Sequence, residues 1–178
     1  MKIIRNSLKS DLNLRTEKDF PTKGIEFIDI NSLILQKNTL QEIIDIFVEY
    51  LKDTPIDYIV APEARGFLFG STVAYKLKCG VIPVRKKGKL PPTTVETSFE
   101  YEKEYGKDYL ELPKLVKGKY KGKNYFIIDD IYATGNTVNG IKKAITDLGG
   151  NVLGVGAVIN IAELNNDEVF SIIDINEE

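Results

Sequence analysis

No histidine occurs in this sequence, and cysteine occurs once, as Cys79. The first absence excludes imidazole acid–base chemistry and every histidine-containing metal site. The second excludes an internal disulfide and makes a thiolate zinc site implausible, so a reducing cytoplasm is the simplest expected compartment. No apolar run approaches the ~20 residues needed to cross a bilayer. The opening MKIIRNSLKSDLNLR has no signal-peptide apolar core. Neither membrane insertion nor export is therefore expected. A net charge of −2 argues against duplex nucleic acid as the main partner, because that partner calls for a basic face. What chemistry remains must use carboxylates, Lys and Arg, Tyr, hydroxyls or backbone amides.

What is present is an ordinary globular composition, 43% apolar and 28% charged, in 178 residues. That length suits one domain with a real core. N-T-L-Q-E-I-I-D-I-F-V-E-Y-L-K (38–52) carries Leu40, Ile43, Ile44, Phe47, Val48 and Leu51 on one helical face, and Thr39 with Glu42 reads as a capping box. I-D-Y-I-V-A-P (56–62) reads as a buried strand, 66–77 as a helix, and V-I-P-V-R (81–85) as the next strand. Residues 86–104, with two adjacent prolines and no consistent period, are expected to form a long loop. G-K-D-Y-L-E-L (106–112) alternates like an edge or hairpin strand. Residues 124–130 read as a continuous apolar strand, 137–148 as a helix stopped by Gly149 and Gly150, and 152–159 and 169–175 as further strands. Strands alternating with helices predict an α/β fold with a mostly parallel central sheet covered on both faces.

One stretch combines features that point to chemistry: I-I-D-D-I-Y-A-T-G-N-T (127–137). Ligands of open parallel sheets bind beyond the carboxyl ends of the strands, and Asp129 and Asp130 stand at such an end. The loop Ala133-Thr134-Gly135-Asn136-Thr137 leads into a helix N-terminus, whose free amides and dipole favour an anion. Thr134 and Thr137 add hydroxyl donors. Carboxylates repel a bare phosphate but accept hydrogen bonds from vicinal hydroxyls. A ribose 5-phosphate satisfies both halves. A simple helix cap or turn is the structural alternative for this stretch alone. The acid pair of a response regulator lies earlier in its chain, and a P-loop would need G-x-x-x-x-G-K-[ST], which is absent.

These residues resemble the ribose-phosphate signature of the type I phosphoribosyltransferases. Further blocks resemble, in order, those of the adenine-specific branch: D-F-P-T-K-G-I-E-F-I-D-I (19–30), A-P-E-A-R-G-F-L-F-G (61–70), R-K-K-G-K-L-P (85–91) and E-Y-G-K-D-Y-L-E-L (104–112). The resemblance implies the family fold over residues 1–178, with an N-terminal hood over about 1–35 and a flexible catalytic loop over 86–104 hinged at Gly88 and Gly106. It implies that Asp129 and Asp130 bind the ribose hydroxyls and Ala133 to Thr137 the 5-phosphate of phosphoribosyl pyrophosphate. Glu63, Ala64 and Arg65 match the pyrophosphate loop, with Arg65 as its charged contact. Arg85 and Lys89 match basic residues at the base of and within the loop. Glu104 matches the carboxylate brought to the purine imidazole, and Tyr105 would help close the lid. Adenine would lie between Glu26, Phe27 and Ile28 and the end of a late strand at Ile161.

Three positions depart from the family pattern. F-R-D is F-I-D here, placing Ile28 for arginine. V-I-E-L is V-I-N-I, placing Asn160 and Ile161, and A-T-G-G-T is A-T-G-N-T, placing Asn136 for glycine. Asparagine tolerates a left-handed backbone, so Asn136 is expected to preserve the loop. The implied activity is purine salvage: transfer of phosphoribose from phosphoribosyl pyrophosphate to adenine, giving AMP. Mg2+ would be held mainly by substrate oxygens and water, and a homodimer is implied. The alternatives at this point are an enzyme for hypoxanthine or xanthine, or a non-catalytic sensor of phosphoribosyl pyrophosphate. The sensor would need a DNA-binding extension for which the chain has no room.

Overall fold

A computed structural model describes residues 2–10, 12–103 and 106–176. Strands β1 (Lys2–Asn6), β2 (Arg15–Lys18) and β3 (Glu26–Asp29) precede a short helix α1 (Asn31–Ile34) and helix α2 (Thr39–Leu51). Then come β4 (Tyr58–Pro62), α3 (Gly66–Leu77), β5 (Gly80–Lys86), β6 (Val95–Lys103), β7 (Gly106–Pro113) and β8 (Asn124–Tyr132). Helix α4 (Asn136–Asp147), β9 (Asn151–Ile161) and β10 (Phe170–Asn176) complete the chain. Eight strands form one sheet in the order β1-β10-β9-β8-β4-β5-β7-β6. From β10 through β5 every pairing is parallel, while β1, β7 and β6 are antiparallel additions at the two sides. The sheet is thus mixed around a parallel centre, as the alternation of strands and helices predicts.

The alternating side chains of β8 show why both faces are covered. Phe126 and Ile128 pack into a core with Ile43, Ile44 and Phe47 of α2 and Phe69 and Val73 of α3. Tyr125 and Ile127 pack on the opposite face with Val138, Ile141 and Ile145 of α4. A strand buried on both sides reads as a continuous apolar run, as 124–130 does.

Local details differ from expectation in three places. Thr39 and Glu42 do not form a capping box: Asn38 is the cap residue, without a side-chain bond, and Glu42 instead accepts from the backbone N–H groups of Lys9 and Ser10. The N-terminal segment is divided rather than a single hood. Strand β1 joins the main sheet beside β10, while β2 and β3 form a separate hairpin. The third difference concerns residues 86–104. A turn and one 3-10 turn (Pro92–Thr94) lead into strand β6, so much of the expected loop is half of a β-hairpin with β7. Val95, Thr97, Phe99 and Tyr101 alternate with the more exposed Glu96, Ser98, Glu100 and Glu102. Carboxylates along the outer strand discourage pairing with another sheet edge.

Candidate active site

The centre of the sheet sets the site's position. From β4 the chain crosses through α3 to β5 on one side, then returns to place β8 on the other side. The carboxyl ends of β4 and β8 therefore open a crevice between them, which is where α/β sheets bind ligands. The end of β4 delivers Glu63, Ala64 and Arg65, and the end of β8 delivers Asp129 and Asp130. Gly66 begins α3 against this seam. A methyl group there would lie 2.9 Å from Pro62 and 3.1 Å from Asp129 Oδ1, so only glycine lets the helix start this close to the acid pair.

The acids are crowded. Asp130 is 4% exposed, and Asp129 keeps only a partial opening to the crevice. Arg65 Nε stands 2.8 Å from Asp130 Oδ2, but off the line that a hydrogen bond requires. That buried oxygen has an ion-pair partner and no hydrogen bond, which leaves it available to a ligand donor. Burial, followed by the charge of Asp130, holds the Asp129 carboxyl well above the usual carboxylate range, against the opposing pull of Arg65. The Arg65 guanidinium also lies 5.7 Å from the centre of the Phe27 ring.

Glu63 binds Arg85 Nε at 2.6 Å. Burial raises its carboxyl, but hydrogen bonds from Arg85 and the Lys86 amide outweigh that and leave it below the ordinary range. The Glu63–Ala64 peptide is cis. Arg85, at the base of the β5–β6 segment, is thus engaged by Glu63. Lys89 is exposed on the following turn and lines none of the three cavities described below. Glu104 and Tyr105 lie outside the described residues.

On the other side of the acid pair, Ala133 to Thr137 curve into α4. Gly135 is the residue in the left-handed region, at φ +76°, and Asn136 is the first helical residue. The left-handed tolerance of asparagine is therefore not called on at Asn136. The turn needs one such residue, glycine fills it, and the asparagine next to it needs only ordinary helical angles.

Three adjoining cavities occupy this region. One of about 370 Å³ is lined by Asp129 and by the whole loop from Ala133 to Thr137. A second, about 430 Å³, is walled by Glu26, Phe27 and Ile28 of β3, Ile131, Ala133, Thr134 and Ile161. A third, more polar and about 270 Å³, lies among Glu63, Arg65, Lys86, Asp129 and Asp130. The crevice thus combines a loop at a helix N-terminus, an acid pair, a polar corner that sets Arg65 and Lys86 among three carboxylates, and a slot with the Phe27 ring on one wall. Pro21 and Ile25 of the 19–30 block, Ile131 of the 127–137 stretch and Leu164 also line these cavities, though the sequence alone assigned them no role. Glu102 enters the first cavity only because the hairpin folds back over α4, where Tyr101 Cβ comes within 3.2 Å of the position a methyl group would take on Gly140. Among the described residues no group of three or more acids, cysteines or histidines could enclose a metal ion.

A crevice that joins a glycine-bearing loop at a helix N-terminus, a buried acid pair, the Arg65 and Lys86 cations and a partly apolar slot can take a ligand with anionic, hydroxyl and apolar parts. The family model described as "Phosphoribosyl transferase domain" matches residues 31–176, and the chain belongs to that family, with the type I fold. Adenine phosphoribosyltransferase of Clostridium acetobutylicum is 48% identical over 157 residues, covering 88% of each chain. That of Clostridium novyi is 44% identical over 163 residues, 91% of this chain and 92% of the relative. Among solved structures, adenine phosphoribosyltransferase from Thermoanaerobacter pseudethanolicus superposes with a TM-score of 0.82 at 38% identity, covering 91% of this chain and 95% of that one. The Giardia lamblia enzyme complexed with 9-deazaadenine gives 0.84 at 29% identity, covering 93% and 95%.

Proposed function

We propose that the chain transfers the 5-phosphoribosyl group from phosphoribosyl pyrophosphate to adenine, giving AMP and pyrophosphate, as a purine-salvage enzyme. The observation that carries this reading is the acid pair set between the Gly135 loop and the Arg65 corner, with the β3 slot opening beside it. In this reading the loop from Ala133 to Thr137 holds the 5-phosphate with backbone amides and the Thr134 and Thr137 hydroxyls. Asp129 and Asp130 accept from the ribose hydroxyls, and the Asp130 oxygen without a hydrogen bond gains a donor. Arg65 stabilises charge growing on the departing pyrophosphate, with Lys89 joining when the hairpin arm closes. Glu26, Phe27, Ile28 and Ile161 flank the base: Phe27 offers a ring face, and main-chain groups read the purine edge. Because Ile28 is 5% exposed and packed in the core, its replacement of arginine leaves main-chain reading intact. Glu104 takes the proton released from N9 as the bond to C1 forms.

The donor set fits Mg2+ of the kind held chiefly by a substrate's oxygens: two adjacent carboxylates, one with a buried oxygen that makes no hydrogen bond, and no all-protein cage among the described residues. When bound, the ion neutralises charge on the pyrophosphate. A homodimer belongs to this reading, supported by the exposed stripe of Leu68 and Tyr75 on α3, at 44% and 81% exposure. So does a cytoplasmic location, which suits the free thiol of Cys79. Among the described residues no helix is long and apolar enough to cross a membrane. The deciding experiment measures pyrophosphate release with adenine, hypoxanthine, guanine and xanthine, with and without Mg2+. Turnover with adenine and Mg2+ is expected. Preference for an oxopurine, or binding of phosphoribosyl pyrophosphate without turnover, would overturn the assignment.

A further inference from the structure

The turn after β9 carries Asn165 and Asp167. Asn165 Nδ2 lies 2.8 Å from the Ala133 carbonyl, 3.0 Å from the Ile161 carbonyl and 3.0 Å from Asn160 Oδ1. Its own Oδ1 accepts from the Asp167 N–H at 3.3 Å. Two N–H bonds thus serve three acceptors, two of which belong to residues that wall the site. A peptide unit is planar and trans, so its N–H points opposite to its C=O. Holding the Ala133 carbonyl from behind turns the Thr134 N–H to the other side, and holding the Ile161 carbonyl does the same for the Ala162 N–H. One amide therefore sets the direction of a donor in the phosphate loop and of a donor at the end of β9.

The orientation of that amide is itself determined. Asp174 in β10 is ion-paired to Arg5 Nε at 2.6 Å, and burial, which raises its carboxyl, is outweighed by hydrogen bonds from Arg5, Ser171 and Asn160. A carboxylate needs donors, so it draws Asn160 Nδ2 to 3.2 Å and leaves Asn160 Oδ1 facing Asn165. Asn165 must then present its NH2 end to the site. A glutamate at position 160, the residue of the family pattern, would set a second carboxylate beside Asp174 and offer it no donor. Asn160 is thus matched to Asp174.

We propose that Asn165 is a positioning residue, oriented through Asn160 by the Asp174–Arg5 pair, that aims the backbone donors of both the phosphate loop and the end of β9. The proposal rests on the functional reading above. Its test compares Asn165→Ala and Asn165→Asp with the wild-type protein. The aspartate keeps the volume and the acceptor for Asp167 but removes the donors. Calorimetry with ribose 5-phosphate reads the loop and the acid pair without the base slot, and steady-state kinetics read KM for both substrates and kcat. Both variants are expected to weaken ribose 5-phosphate by about tenfold, or about 1.4 kcal/mol, and to raise both KM values similarly. At saturation kcat should change less than about threefold, the pattern of lost uniform binding. A purely structural residue would lower the melting temperature and leave these constants alone. Binding and KM values within about twofold of wild type in Asn165→Asp would overturn the proposal. If the Asn165 variants do not fold, Asn160→Leu, which cuts the link to Asp174, should weaken ribose 5-phosphate in the same direction, and unchanged binding there overturns it as well. Wild-type protein that neither binds ribose 5-phosphate nor turns over adenine would overturn the functional reading together with this one.

Discussion

Gly135, the one glycine of the loop from Ala133 to Thr137, should be costly to replace, and that cost can be separated into two parts. At φ +76° an alanine pays for left-handed backbone, about 1–2 kcal/mol, partly offset by about 0.4–1 kcal/mol from the stiffer unfolded chain. Its methyl group would also collide with the Tyr132 hydroxyl and lie 2.8 Å from Tyr132 Cζ and 2.9 Å from Asp167 Oδ2. Tyr132 cannot swing away freely, since it is 2% exposed and donates to Asp167 at 2.6 Å. Forcing it aside should add about 1–3 kcal/mol. Gly122 isolates the backbone part: its φ is +74°, and nothing lies within 4 Å of the added methyl. Urea unfolding should therefore show Gly122→Ala costing roughly 1 kcal/mol and Gly135→Ala roughly 2–4 kcal/mol. Tyr132→Phe removes the nearest atom, so in the double variant the two costs should fall short of their sum by about 1 kcal/mol. Equal costs at the two glycines within about 0.5 kcal/mol, or strict additivity, would refute the close approach of loop and tyrosine.

Asp129→Asn should trade binding for stability. Because its folded value is raised, the folded chain holds this proton more tightly than the unfolded one, and the contribution to stability is lost as pH rises from the unfolded value through the folded one. Thermal unfolding of the unliganded protein should thus shift upward for Asp129→Asn at about pH 8 and hardly at all near about pH 4. Ribose 5-phosphate binding should weaken at the same time, and a variant destabilised at the higher pH would contradict the crowding of the acid pair. Glu104→Ala should lower kcat by about 10²–10⁴ with little change in KM for phosphoribosyl pyrophosphate, measured by pyrophosphate release. An unchanged kcat would remove it as the base.

Much of this protein was legible in its sequence because the signals are local. The apolar run of 124–130 and the acids that end it are neighbours in the chain, as are the small loop residues and the helix they open. Such contacts survive any arrangement of the rest. For the same reason α3 occupies the very residues 66–77 that the pattern marks. Even β6 was readable: Val95, Thr97, Phe99 and Tyr101 alternate with polar residues, but two prolines and the unpatterned turn before them obscure the period when 86–104 is taken as one piece.

The features only the tertiary structure decided depend on partners far apart in sequence. Glu42 fits a capping box by spacing, yet the amides of Lys9 and Ser10, brought alongside by the fold, compete for its carboxylate and win. Asn136 departs from the glycine of the family pattern, but the chain's path into α4 puts the left-handed turn one residue earlier, on Gly135. Nothing near Asn165 in sequence marks it; its role exists only where β9, β10, β1 and the phosphate loop meet. Sequence alone determined which chemical groups the site contains, because residue type is what carries chemistry. Folding decided which way those groups face, because the hydrogen bonds that aim them run between strands that the chain itself keeps far apart.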